Sequence, residues 1–194
     1  SIEEPVIEGD RFIIRRTKNG DTGMLQNQVL LPEAGNAQIE KVGGKGKEFW
    51  VFGTNYPNDA LPNRPDDANE RGAWRVEVSP AVPAAENYFL NVMQVADNTC
   101  KRMNDVKRID AGKVVGVQIA DRIVTFSKNS LPLSGKIDMK VDGNTSMKFV
   151  ITDLIPGTWQ IKKDGKVYIP AVEVRSDDGI LSFEGTAGHY EFLR

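Results

Sequence analysis

The one adjacent Tyr/His pair of the chain lies near its end. His189 is the only histidine, and it is followed directly by Tyr190. A Tyr/His pair suits general acid–base chemistry. Neighbours on a strand, however, point to opposite faces, so the two could share a substrate only at a bulge or turn, which Gly188 would permit. The expectation is therefore an edge histidine and a packed tyrosine, with no catalytic residue in the chain. A lone histidine and a lone cysteine, Cys100, without His-x-His or Cys-x-x-Cys spacing, argue against zinc. Asp59, Asp66 and Asp67, with Asn58 and Asn69, are weak Ca²⁺ candidates, since that ion takes loop oxygens. Their spacing is not that of an EF-hand, and a solvated acidic loop is the simpler expectation. No cofactor is expected.

No Gly-x-Ser-x-Gly elbow is present. Gly43-Gly44-Lys45-Gly46-Lys47 is glycine-rich and basic, but Glu48–Phe52 after it reads as a strand rather than a helix, so a phosphate loop is not expected. A flexible turn is, and Lys45 and Lys47 could meet an acidic sugar. Four aromatic residues could form a sugar-stacking platform. Trp74 and Trp159 sit on the apolar side of strong alternation and Trp50 in an apolar run, which predicts core for all three. Tyr56 is the one expected at the surface.

These groups need strands to position them. Short apolar alternation broken by Gly, Asn, Asp and Pro recurs, and helical periodicity is nearly absent. The pattern predicts strands over Arg11–Arg15, Gly23–Leu31, Ala37–Val42, Glu48–Phe52, Trp74–Val78 and Tyr88–Val95. The last is apolar on both faces and is expected in the middle of a sheet. Val114–Ile119 and Arg122–Ser127 read as a hairpin. Further strands follow at Ile137–Val141, Met147–Leu154, Trp159–Lys162, Lys166–Ile169, Val172–Val174, Ile180–Phe183 and Tyr190–Leu193. Asp142-Gly143, Asp164-Gly165 and Asp178-Gly179 separate them. Asp-Gly between alternating strands favours type I′ hairpins, which predicts an antiparallel meander. The fold class expected is all-β, an antiparallel β-sandwich, with two stacked sub-layers or portions at 1–97 and 98–194, or one continuous domain. The proline-rich stretch 55–72 reads as a long loop.

Of 194 residues, 40% are hydrophobic and 27% charged, a globular balance. A net charge of -2 gives no reason to expect nucleic acid. No apolar run is long enough for membrane insertion, and no signal peptide is recognisable. The opening Ser-Ile-Glu-Glu-Pro, without an initiator Met, reads as a mature or excised piece.

Several stretches together carry a resemblance. They include Gln28-Val-Leu-Leu-Pro32, Val42-Gly-Gly44 with Lys47-Glu-Phe-Trp50, and Asn55-Tyr-Pro57. Gly72-Ala-Trp-Arg-Val-Glu-Val-Ser-Pro80 precedes Phe89-Leu-Asn-Val92. The second half adds Val115-Gly-Val117, Asp121-Arg122 with Phe126-Ser127, Thr152-Asp-Leu-Ile-Pro-Gly-Thr-Trp159 and Gly188-His-Tyr190. The sequence resembles the C-terminal β region of heparinase II/III-like polysaccharide lyases, alginate-lyase-type members included. The resemblance implies a parent with an N-terminal toroid and a central domain, cleaving uronic-acid polysaccharides by β-elimination. Base and neutraliser would come from upstream segments, so none is carried onto this chain. It also implies a periplasmic or secreted location. The partners expected are the toroid and central domain of the same polypeptide and an acidic polysaccharide. Lys45, Lys47, Tyr56, Arg64 and Arg71 are the glycan-contact candidates. The alternative is an independent carbohydrate-binding module.

Overall fold

A computed structural model describes residues 2–56, 74–100, 102–129 and 131–194. The described residues form strands and connections, and they divide into two compact units, Ser1–Met103 and Asn104–Arg194. No helix among them is long and apolar enough to cross a membrane.

The first unit contains β1 (Val6–Glu8), β2 (Arg11–Lys18), β3 (Asp21–Leu31), β4 (Ala37–Gly43), β5 (Trp50–Val51), β6 (Thr54–Asn55), β7 (Trp74–Pro80) and β8 (Leu90–Asp97). The main sheet runs β1-β2-β3-β8. β4 pairs with β7 as a ribbon, and β5 with β6 as a hairpin. The β2–β3 turn places Asn19 and Gly20 at φ of 54° and 88°, the left-handed pair that a type I′ turn demands. Among the described hydrophobic side chains of this unit, only Val29 and Leu30 are buried. Beside them lie Asn27, which donates to Asn91 Oδ1 (3.0 Å), and Gln28, which donates to Asp10 Oδ2 (2.9 Å). β8 stands at the edge of its sheet rather than in the middle. Met93 and Val95 on it are 65% and 78% exposed. Its two-sided apolarity correctly signals a strand, but the expected second neighbour is absent among the described residues.

The second unit contains β9 (Val106–Ala111), β10 (Val114–Ile119), β11 (Arg122–Ser127), β12 (Ile137–Val141), β13 (Met147–Ile151), β14 (Gly157–Lys163), β15 (Lys166–Val174), β16 (Leu181–Gly185) and β17 (Gly188–Leu193). Two sheets, ordered β16-β13-β11-β10-β9 and β12-β17-β14-β15, share one core, as in an antiparallel sandwich. Strict alternation supplies it. Ile137, Met139 and Val141 point inward from β12, Met147, Phe149 and Ile151 from β13, and Trp159 and Ile161 from β14.

The path differs from a meander. β11 pairs with β13 in parallel, and β12 between them belongs to the other sheet. Asp142-Gly143 and Asp178-Gly179 therefore carry the chain from one sheet to the other. Only Asp164-Gly165, with φ of 51° and 77°, closes a hairpin, β14–β15. Turn chemistry is local, whereas partner choice is made by the faces each strand must bury.

Candidate functional site

The Tyr/His pair separates by face. Tyr190 is fully buried, and its hydroxyl donates to the Thr186 carbonyl (2.5 Å). Phe149 (4.8 Å between ring centroids) and Phe183 (5.6 Å) pack against it. A Cβ on Gly185 would collide with the Tyr190 hydroxyl, so that residue must be bare. Burial, reinforced by the negative charge of Asp164 and the neighbouring Tyr168, pushes the phenol up to about 12. A phenol this reluctant to ionise, with its proton committed to a carbonyl, is a structural group.

His189 turns outward. Its Nε2 is hydrogen-bonded to Asp138 Oδ1, and Lys136 reaches both Asp138 (3.0 Å) and Glu191. The register explains the cluster. On the outer face Asp138 lies across from Glu191, and Lys140 across from His189. The hydrogen bond from His189, then that from Lys136, holds the Asp138 carboxyl below its ordinary value. Lys136 does the same to Glu191. This is a solvated ion-pair network on a sheet face, and exposed pairs of this kind contribute little stability.

The second set of candidates lies in the first unit, around residues 43–56. Gly44, at φ 78°, lets the Trp74 indole close on the backbone, since a Cβ there would stand 2.9 Å from the ring. Lys47 N–H donates to the Gly44 carbonyl (2.9 Å), which makes the glycine-lysine stretch a defined turn. The Lys47 ammonium stands 5.2 Å from the Trp50 ring centroid, and the Lys41 ammonium 6.0 Å from that of Trp74. Trp50 and Trp74 are half-buried, and only Trp159 is in a core. The sequence identifies the inward side of each strand, but in the first unit that side is thinly covered. Tyr56 is 59% exposed. Arg75 donates to the Trp50 carbonyl (2.5 Å) and pairs with Glu77 (2.6 Å), tying the β5–β6 hairpin to the β4–β7 ribbon.

Phe52, which the sequence pattern reads as the end of a strand, occupies the tip of the β5–β6 hairpin, wholly exposed. The two residues between Val51 and Thr54 were the available signal.

Lys45, Lys47 and Tyr56 thus belong to one neighbourhood of the chain. Arg64 and Arg71, together with the Ca²⁺ candidates Asp59, Asp66 and Asp67, lie outside the described residues. Among the described residues no group of three or more His, Cys, Asp or Glu side chains could hold a metal ion.

No curated protein matches the chain. Residues 108–194 match the family described as the heparinase II C-terminal domain. The match begins inside β9 and takes in β10 to β17, the strands whose two sheets share one core. Over residues 108–194, therefore, this chain is similar to the heparinase II C-terminal domain.

Proposed function

We propose that this chain is a non-catalytic β-sandwich portion of a polysaccharide lyase. That parent enzyme cleaves uronic-acid polysaccharides by β-elimination. The chain supports its catalytic region and contacts glycan through the corner holding Lys45, Lys47, Trp50 and Tyr56. The observation that carries the reading is the family match over residues 108–194.

The chemistry agrees with a supporting role. β-Elimination needs a base placed at the proton α to the uronate carboxylate, and a group that stabilises the enolate-like charge. Tyr190 and His189 cannot serve jointly, because one is buried and the other faces water. The glycan-contact part of the reading is supported by side-chain chemistry. Lys47 beside Trp50 offers a cation next to an aromatic face, and Tyr56 adds a second exposed ring. An exported parent, periplasmic or secreted, would meet such a substrate.

The test is direct. The chain is incubated with alginate and heparin, and the ultraviolet absorbance of unsaturated uronate is followed. No new absorbance is expected, while titration with oligosaccharides of either polymer yields saturable binding. Turnover that His189→Ala abolishes would overturn the supporting role.

A further inference from the structure

We infer that Phe52 is a sugar-stacking residue, receiving the C–H face of one pyranose at the tip of the β5–β6 hairpin. The inference rests on the glycan-contact reading above and deepens it.

Two features of Phe52 are unfavourable within the chain. Its backbone lies at φ 46° and that of Gly53 at φ 83°, the two left-handed positions of a type I′ turn. Asn, Asp or Gly normally fills the first of these, and a bulky side chain there is strained. The ring is also 100% exposed, so no burial offsets that strain. Strain at a surface position that recovers nothing in the free molecule is a mark of function.

The surroundings indicate the ligand. Phe52 borders an open cleft of roughly 600 Å³ whose walls include Trp50, Glu40, Arg75 and Glu77. Glu40 and Glu77 lie directly across from each other in the β4–β7 ribbon, and Arg75 is already committed to Glu77 and to the Trp50 carbonyl. Two carboxylates against one engaged guanidinium accept hydroxyl donors and repel an acid group. The Lys47 ammonium stands over the ring of Trp50, one of the lining residues. A sugar ring fits this arrangement with its C–H face on Phe52, its hydroxyls donating to Glu40 and Glu77, and its carboxylate turned towards Lys47. Aromatic rings recognise such apolar faces through contact area and the negative charge of the ring face.

The experiment uses the full chain with alginate-derived and heparin-derived hexasaccharides, read by calorimetry and by tryptophan fluorescence. Phe52→Asn places a residue that tolerates the left-handed region at the turn. It is expected to weaken binding on the order of tenfold while raising the melting temperature by about 3–6 °C. Phe52→Trp retains binding. Affinity and stability thus move in opposite directions, which loss of folding cannot imitate. If Phe52→Asn binds as wild type while Lys47→Met binds more weakly, the role of Phe52 is overturned and the glycan-contact reading stands. A fall in melting temperature on Phe52→Asn also overturns it, since the ring would then be structural. If the wild-type chain binds neither probe, the glycan-contact reading fails and this inference with it.

Discussion

Replacing Tyr190 with Phe separates two contributions of one hydroxyl. At neutral pH the substitution keeps the ring among Phe149, Phe183 and Phe192 but removes the donor to the Thr186 carbonyl. A typical net hydrogen bond of this kind is worth about 1 kcal/mol, so Tyr190→Phe is less stable by that amount at pH 7. In alkali the sign reverses. The phenol is raised from 10 to about 12 in the folded state, chiefly by burial. A group raised in this way contributes stability that is complete below its unfolded pKa and is lost as pH climbs through the folded one. Taking ~1.4 kcal/mol for each factor of ten, wild type loses between about 2 and 3 kcal/mol across the window from pH 10 to 12. Phe has nothing to lose there. The two stability curves therefore cross near pH 11, with Tyr190→Phe the more stable variant above it. Urea unfolding followed by tryptophan fluorescence at stepped pH measures both arms, and the difference in tyrosinate absorbance between the variants reports the ionisation itself. Parallel curves that never approach would refute the claim that burial holds this phenol neutral. An unchanged stability at pH 7 would refute the role of the Thr186 bond.

Three further substitutions probe the same unit. Gly116→Ala drives a Cβ into the Val124 carbonyl and to 2.8 Å from the Thr125 Cα, both backbone atoms of the paired strand, and a loss of about 3 kcal/mol or more in chemical denaturation is expected. Thr125→Val removes a buried hydroxyl with no partner among the described residues, and the same measurement should show a gain of about 1 kcal/mol. His189→Ala breaks the exposed contact with Asp138 and changes stability at pH 7 by no more than about 0.5 kcal/mol. Asp138 is held low, so its contribution is present above its unfolded pKa and fades as pH falls through the folded value. The small difference between His189→Ala and wild type should therefore begin to shrink in acid unfolding curves below about pH 4 and be gone once the pH lies below the folded value.

Period-two patterning was the most readable feature of this chain. It places Tyr190 inside and His189 outside, and it puts Trp159 in the core, because one-residue alternation decides the face. It does not say whether the face is covered. Trp74, on the apolar side of its alternation, and Trp50, in an apolar run, remain half-buried in a unit with few buried side chains among the described residues. β8 shows the same gap, since two apolar faces predict neighbours that the described sheet does not provide. Connectivity was less legible still. Asp-Gly encodes a turn but not its destination, and two of the three such dipeptides lead to the opposite sheet. At the candidate site the lysines and Tyr56 announce themselves by type. Phe52 does not, because phenylalanine is not a residue that turn chemistry predicts at a left-handed position.

The position of β17 has a consequence for the order in which the second unit matures. It is the last of these strands to be synthesised, yet it lies inside its sheet, between β12 and β14, and it brings Tyr190 and Phe192 to the core. On a translating ribosome, β12 and the β14–β15 hairpin must wait side by side, without their shared partner, until this segment emerges. A nascent chain interrupted before it would present an open seam lined with apolar groups, a form that chaperones and proteases recognise.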